Sequence, residues 1–234
     1  MFHFKKFSID DTGSAMKTGT DAVLLGAWAP TGEQSRILDI GTGSGILALM
    51  MAQRTTDSLI DAVEIHKDAF ELAMKNVEIS PWKSRIRIHH VSFQDFSNSA
   101  SHLYEFIISN PPFFSNALKN PDPARSLARH DDSLQPHELF YGIDKLLTKE
   151  GQAALIFPFD VLKDRIFVAR LFSLFPLMIT SIRSSPQHKP HRAMVLFGKT
   201  QNQTIIEDEL VIYSLKSVYS EAYKELTRDF YLKF

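Results

Sequence analysis

Apolar and polar residues alternate along the chain in a way that predicts strands and helices in regular succession. Strand-length apolar runs occur at 36–40, 59–64, 105–109 and 153–157. Between them, apolar residues recur at the three- and four-residue spacing of helices, as in 70–77. Because strands and helices follow one another at the spacing of βαβ units, the pattern predicts an α/β fold with a mostly parallel sheet and helices on both faces.

The pattern also marks the edges of this sheet. Residues 85–89 alternate strictly between polar and apolar, which is typical of a strand with one wet face near a sheet edge. Residues 177–182 and 193–197 form two further apolar runs. We expect these two runs to pair and to supply an antiparallel closing strand.

The chain is expected to form a single domain over 1–234, with an N-terminal arm over about 1–19 and a C-terminal helix over about 220–232. A first helix is predicted after the arm. Thr20 can cap it, and Asp21 is placed at the positive end of its dipole.

The amino-acid composition excludes several classes of protein. Hydrophobic residues make up 44% of the chain and charged residues 23%, as in folded globular proteins, and cysteine is absent. Disulfides, thiolate metal sites and cysteine nucleophiles are therefore excluded, and we expect no metal and a cytoplasmic location. We also expect no membrane segment, because the most apolar stretch, 167–180, is short and contains Arg170 and Pro176.

A glycine-rich loop joins the strand at 36–40 to an apolar helix. Its glycines are Gly41, Gly43 and Gly45. Asp39 ends the strand, and Glu64 ends the next strand, where a carboxylate can bind two ribose hydroxyls. The spacing is G-x-G-x-G, with Ile46 where a dinucleotide site needs an open helix end. The segment from Asp39 to Gly45 resembles motif I of class I S-adenosylmethionine (SAM) methyltransferases.

The tetrapeptide Asn110–Pro111–Pro112–Phe113 follows the strand at 105–109 directly. An exocyclic amino group on an aromatic base is a poor nucleophile, because its lone pair is delocalised into the ring. Acceptors from Asn110 and the Pro111 carbonyl would localise that lone pair, and Pro112 keeps residue 111 out of helical geometry. Phe113 offers a flat face for stacking. We expect all four residues to be catalytic.

These motifs resemble one family over nearly the whole chain, the bacterial tRNA1(Val) adenine-N6 methyltransferases. The matching segments are FKKFSI, MKTGTDAVLLGAW, ILDIGTGSGILALMMAQR, ISNPPFF, ARH and PHR. The resemblance implies a Rossmann-like class I fold, SAM as cofactor, S-adenosylhomocysteine as product and the anticodon stem-loop of a tRNA as partner. It implies a cofactor site made of Lys17, Thr20, Asp39, Gly41, Gly43, Gly45, Glu64, Asp95 and Asn110.

Contacts to RNA are expected from basic residues. The net charge is −1, yet residues 165–206 contain no acidic residue and six Lys or Arg. Such segregation indicates a basic face on a neutral protein. The predicted contacts are Lys6, Arg125, Arg129, Lys189, His191 and Arg192.

Three alternatives remain open at this point. NPPF also occurs in guanine-N2 methyltransferases that act on ribosomal RNA. Enzymes that methylate protein glutamine usually have Tyr after NPP and an additional helical domain, whereas this chain has Phe113 and about thirty residues before its first strand. The third alternative is a SAM- or RNA-binding module without activity, against which an intact Asn110 argues.

Overall fold

The computed structural model describes residues 1–11, 19–32, 34–111, 134–201 and 204–233. The strands in these residues are β1 (Phe2–His3), β2 (Ser8–Ile9), β3 (Arg36–Ile40), β4 (Leu59–Glu64), β5 (Ile86–His90), β6 (Tyr104–Ser109), β7 (Leu147–Pro158), β8 (Phe175–Arg183), β9 (Arg192–Gly198), β10 (Ile206–Val211), β11 (Tyr213–Leu215) and β12 (Val218–Tyr219). The helices are α1 (Thr20–Trp28), α2 (Ile46–Arg54), α3 (Lys67–Glu78), α4 (Phe93–Ser99), α5 (Pro136–Leu146), α6 (Leu162–Leu171) and α7 (Glu221–Thr227).

One eight-stranded sheet forms the centre of the described chain, in the order β10-β8-β9-β7-β6-β3-β4-β5. Only β9 runs against its neighbours β7 and β8 within this sheet, and the other pairings are parallel. The predicted α/β class and its antiparallel closing strand are therefore confirmed. β10 is not predicted from the sequence, because its Ile206–Glu209 stretch is exposed and acidic and lacks the apolar signature of a strand.

Helices cover both faces of the sheet, as expected. On β3, Ile37 belongs to the core that lies under α1, α2 and α3, whereas Leu38 belongs to the core under α4, α5 and α6. Neighbouring residues of a strand point to opposite faces, so a strand buried on both faces reads as a continuous apolar run. β5 lies at the edge of the sheet, with Ile86 and Ile88 buried and Arg87 exposed, which confirms the interpretation of its alternating pattern.

The N-terminal arm is held by aromatic packing. Phe4 and Phe7 are buried, and their rings stack with centroids 4.6 Å apart. Phe4 also stacks on Tyr231 at 6.0 Å, and the Lys5 amide donates to the Phe230 carbonyl over 2.8 Å. Residues close to both ends of the described chain are therefore packed together on one face of the sheet.

Two helix boundaries differ from their predicted positions. Gly19, not Thr20, is the N-cap of α1, and Thr20 is the first residue of the helix. A Thr side chain can cap only from the position before the helix, so the predicted capping role of Thr20 is wrong. The C-terminal helix, expected over about 220–232, covers Glu221–Thr227, with the Ser220 hydroxyl accepting from the Tyr223 amide as its cap. None of the helices described is long and apolar enough to cross a bilayer.

Gly142 permits α5 to pack closely on α4. A Cβ at Gly142 would lie 2.4 Å from Cε1 of the buried Phe93 ring. We therefore expect Gly142→Ala to destabilise the protein by about 1–3 kcal/mol, because overpacking outweighs the gain of about 1 kcal/mol in helix propensity. Urea unfolding measures the change.

The exposed His137 on the same helix supplies the control, and His137→Ala should alter the free energy of unfolding by no more than about 0.5 kcal/mol. Adding Phe93→Leu to Gly142→Ala should recover part of the loss. A Gly142→Ala protein as stable as the wild type would contradict the packing described.

Candidate active site

Three adjacent strands end level with one another at the carboxyl edge of the sheet. Ile40 of β3 is paired with Val63 of β4 and with Ser109 of β6. The residues that follow, Gly41, Glu64 and Asn110, therefore lie at the same height. With strands spaced about 4.8 Å apart, Glu64 and Asn110 flank the glycine loop at a backbone separation of about 10 Å. The structure thus brings together the residues predicted from two separate motifs.

The glycine loop has a conformation that requires glycine. Gly41, Gly43 and Gly45 have φ values of 68°, 58° and 85°, all in the left-handed region. A Cβ at Gly41 or Gly43 would meet no atom of the described chain within 4 Å, so both positions border open space that a ligand can enter. A Cβ at Gly45 would lie 3.6 Å from Ala73 of α3. The first two glycines therefore form a cradle, and the third permits close packing of the helix.

Glu64 is fixed beside this cradle. One carboxylate oxygen accepts from the Gly43 amide over 2.9 Å, and the other accepts from the His66 amide over 2.9 Å. Only 6% of the residue is exposed. Each carboxylate oxygen can accept more than one hydrogen bond, so the clamped group retains capacity for ribose hydroxyls. This arrangement is compatible with the predicted ribose-binding role.

Asp39 fastens the beginning of the loop to α2. Its Oδ2 accepts from the Thr42 hydroxyl over 2.5 Å and from the Ala48 amide over 3.1 Å, whereas its buried Oδ1 has no hydrogen-bond partner in the described residues. Burial raises the pKa of Asp39 from an ordinary value of 3.8 to about 7, although both hydrogen bonds oppose this rise. The role of Thr42 was not predicted from the sequence, although its hydroxyl inside GTGSG was an available signal.

Asn110 presents an unsatisfied oxygen next to the loop. Its Oδ1 is buried without a hydrogen-bond partner in the described residues, and Pro111 after it is buried. The Ser109 hydroxyl donates to the Ile40 carbonyl over 2.8 Å and so ties the end of β6 to β3. A buried acceptor without a partner is energetically costly, so its oxygen is suited to a ligand that brings a donor.

Several predicted site residues lie outside the described residues and remain predictions. They are Lys17, Pro112, Phe113, Arg125 and Arg129. Asp95 is described and belongs to the cap of α4, where its amide donates to the Ser92 hydroxyl over 3.0 Å and its carboxylate accepts from that hydroxyl over 2.7 Å. α4 follows the carboxyl end of β5, on the Glu64 side of the cradle. Contact between Asp95 and a cofactor adenine is still a prediction.

The basic run between β8 and β9 lies at the same edge of the sheet but is partly neutralised. Arg192 Nε donates to Asp21 Oδ2 over 2.7 Å, and Arg183 Nε donates to Glu209 Oε2 over 2.5 Å. These partners are distant in sequence, which is why the sequence suggested a more basic surface. Lys189 is exposed.

The other two described residues predicted to contact RNA, His191 and Lys6, lie in different surroundings. Burial and the neighbouring Arg192 charge lower the pKa of His191, which favours the neutral imidazole. Lys6 lies instead in the arm, where the adjacent Phe7 ring is 5.9 Å from Trp82. Trp82 precedes β5 and so lies toward the amino edge of the sheet. Lys6 is therefore set apart from the carboxyl-edge site.

Comparison with known proteins agrees with this arrangement. Residues 14–135 match the family described as the methyltransferase small domain. The fold is similar to that of a predicted O-methyltransferase from Agrobacterium tumefaciens, with a TM-score of 0.73 and 18% identity over 90% of this chain and 96% of that one. A ribosomal protein L11 methylase from Lactobacillus delbrueckii subsp. bulgaricus has a TM-score of 0.57 and 16% identity, over 82% and 84% of the two chains. Fold and site together define a class I SAM-dependent methyltransferase.

Two relatives of similar length identify the family within this class. The chain is 42% identical over 234 residues to the tRNA1(Val) (adenine(37)-N6)-methyltransferase of Flavobacterium johnsoniae, and 100% of each chain is covered. It is 41% identical over 233 residues to the protein of the same name from Aeromonas salmonicida, covering 99% of this chain and 97% of the relative. The chain belongs to the tRNA1(Val) (adenine(37)-N6)-methyltransferase family. The resemblance inferred from the sequence is thus confirmed.

The raised pKa of Asp39 has a measurable effect on stability. An acid with a higher pKa in the folded state binds more protons when folded, so its contribution to the free energy of unfolding falls as pH rises from about 4 to about 7. Asp39→Asn cannot ionise and keeps an oxygen that accepts from Thr42 and Ala48. We expect the variant to gain stability relative to the wild type between pH 5 and pH 8, as measured by urea unfolding without ligand.

Asp57→Asn, at an exposed position, controls for the general effect of removing a carboxylate. Its stability difference from the wild type should change little over the same range of pH. Parallel pH profiles for the wild type and Asp39→Asn would show that Asp39 is already ionised at pH 5.

Proposed function

We propose that this chain transfers the methyl group of SAM to N6 of adenosine 37 in the anticodon stem-loop of tRNA1(Val), in the cytoplasm. The observation that carries the proposal is the buried Oδ1 of Asn110, which has no hydrogen-bond partner among the described residues and lies level with the glycine cradle and Glu64. The full-length relatives bear the name of this reaction, which favours adenine N6 over guanine N2 or protein glutamine.

The residues of the cradle fit the cofactor. The open space at Gly41 and Gly43 suits close approach of a ligand to the backbone, and the clamped Glu64 carboxylate suits two ribose hydroxyls. Within the described part of the chain the Asp39 Oδ1 has no hydrogen-bond partner, and it adds acceptor capacity at the start of the loop. When bound, SAM would supply a methyl group activated by its positively charged sulfur. The leaving group is the neutral thioether.

Asn110 would prepare the nucleophile. Its Oδ1 accepts a hydrogen bond from the adenine amino group, and the Pro111 carbonyl is the proposed second acceptor. Both interactions strengthen as the nitrogen lone pair is withdrawn from the ring and forms the new bond to carbon, so they favour the transition state over the ground state. The cationic nitrogen then loses a proton to solvent, and no side chain has to remove it before the attack.

The basic run between β8 and β9 is the proposed contact for RNA next to the target base. Arg192 pairs with Pro158 of β7, and Leu155 of β7 pairs with Ser109 of β6. From strand spacing and rise, Arg192 is roughly 12 Å from Asn110 along the sheet edge. Phosphate groups that flank an extruded base could therefore reach Lys189 while the base occupies the Asn110 site.

Asn110→Ala should lower the single-turnover rate of methyl transfer by on the order of a hundredfold or more, about 3 kcal/mol of barrier. SAM affinity should change little, because the glycine loop and Glu64 remain. Both quantities are measured with an anticodon stem-loop that carries a target adenosine, by quenched-flow kinetics and calorimetry. The same RNA with guanosine at the target position tests the choice of base.

Asn98→Ala, at an exposed asparagine of α4, is the matched control and should leave the rate unchanged. If Asn110→Ala lost SAM affinity in proportion to rate, Asn110 would be a cofactor ligand only. A near-normal rate in this variant would contradict the mechanism.

Lys189→Ala should weaken binding of the stem-loop and reduce the slope of log affinity against log salt by about 0.7–1 for a single lost phosphate contact. The matched control is Lys149→Ala, because Lys149 is also exposed but lies near the amino end of β7, at the opposite edge of the sheet. Filter binding at several salt concentrations gives both slopes. Equal slopes for the two variants would place the RNA elsewhere.

A further inference from the structure

Asn76 is a fully buried amide whose hydrogen-bonding groups are all in use. It lies on α3 with 0% of its surface exposed. Its Oδ1 accepts from the Asp10 amide over 2.8 Å, and its Nδ2 donates to the Asp10 carbonyl over 3.0 Å and to the Ser44 carbonyl over 2.9 Å. An asparagine side chain has two N–H donors and a carbonyl acceptor, so all of these groups are satisfied by backbone.

These contacts join two segments that are separate in sequence. Asp10 follows β2 in the N-terminal arm, and Ser44 lies inside the glycine loop between Gly43 and Gly45. One turn earlier on α3, Ala73 is the residue against which Gly45 packs. α3 therefore supports the loop on two successive turns, and at the second turn it also holds the arm.

Docking of the arm does not by itself require an amide at this position. Ile9, next to Asp10, is completely buried, and Phe4 and Phe7 are buried as well. An apolar residue on α3 could cover the same surface by packing alone. The Asn76 amide sets the direction of the Ser44 carbonyl, whereas Glu64 and the Val63 carbonyl hold the backbone amides of the loop residues before it.

We propose that Asn76 is a positioning residue for the cofactor site. By linking the Ser44 carbonyl to the N-terminal arm, it fixes the conformation of the glycine loop, and this loop binds SAM. The inference rests on the proposed function, since SAM is the ligand of this loop. Asn76 acts through backbone groups and touches neither methyl donor nor RNA.

Asn76→Asp tests this role with almost no change in shape. The carboxylate can still accept from the Asp10 amide. Its second oxygen, however, faces the Asp10 and Ser44 carbonyls, which accept hydrogen bonds from Asn76 Nδ2 in the wild type. At pH 8 we expect the dissociation constant of SAM to increase roughly tenfold or more, because buried donors are lost and acceptors face each other. Burial and the two facing carbonyls favour the protonated form of the introduced carboxyl group. In that form its O–H can again donate a hydrogen bond to a carbonyl. Affinity should therefore recover in part between pH 8 and pH 5.5.

Each variant is compared with the wild type at the same pH, because the pKa of Asp39, about 7, makes the loop itself sensitive to pH. The other ionisable side chains of the arm and α3, with those beside the loop, are all present in every variant; they are His3, Lys5, Lys6, Asp10, Asp11, Glu64, His66, Lys67, Asp68, Glu71, Lys75 and Glu78. Asn98→Asp, on the exposed surface of α4, is the matched control and should bind SAM normally at each pH. Asn76→Ser, with a hydroxyl too short to reach both arm and loop, should weaken SAM binding severalfold without recovery at pH 5.5.

Calorimetric titration with SAM, together with thermal melting, separates the outcomes. Weaker binding with recovery at low pH in Asn76→Asp, but not in Asn76→Ser, supports the proposal. A lower melting temperature with unchanged SAM affinity in either variant would overturn it and leave Asn76 with a purely structural role. If Asn76→Asp is unfolded at pH 8, normal affinity in Asn76→Ser overturns the proposal. Failure of the wild type to bind SAM would instead refute the proposed function, and this inference with it.

Discussion

The level register of β6, β3 and β4 is the constraint on which the candidate site depends. Because Ile40 is paired with both Val63 and Ser109, the glycine loop leaves the sheet between a carboxylate and an amide at the same height. A shift of one residue in either pairing would turn each side chain of that strand to the opposite face. Both faces of these strands are buried, so the close packing of side chains of different sizes on each face is what resists such a shift. The packing that stabilises the sheet therefore also sets the spacing of the chemical groups at its edge.

The glycine loop itself is held from several directions. Asp39 anchors it from β3, Glu64 and the Val63 carbonyl anchor it from β4, and Asn76 anchors it from α3. Glycine in the left-handed region costs little strain but loses much conformational entropy on folding. Fixing the loop before a ligand arrives places that entropic cost on folding instead of on binding, which is how a preorganised site gains affinity. The ionisable Asp39 is buried at this point at a cost in stability, as is common for groups at functional sites.

Local patterns in the sequence were sufficient for the parts of the fold and site that depend on neighbouring residues. The strand–loop–helix order around GTGSG, the buried strand before Asn110 and the wet edge strand β5 all follow from periodicity and glycine spacing. β10 was missed because a parallel edge strand with an exposed acidic stretch carries no apolar signal. The Asp21–Arg192 pair spans 171 residues and Asn76 reaches Asp10 across 66, so no local pattern could have revealed either contact. The sequence thus predicted candidate groups for the site, whereas the folded chain shows which of the described ones already have hydrogen-bond partners.

The stacking of Phe4 on Tyr231 has a consequence for the order of events during protein synthesis. The arm is synthesised before the rest of the described chain, but one of its aromatic partners and the Phe230 carbonyl that accepts from the Lys5 amide are made more than two hundred residues later. Until then, Phe4 and Phe7 lack part of their cover, and a nascent chain exposes an apolar surface of the kind that chaperones bind. The strand pairings of the central sheet involve neither segment, so they can form meanwhile. A translation product that ends before residue 230 would therefore carry a complete glycine loop and an incompletely packed arm, and would be a preferred target for proteolysis.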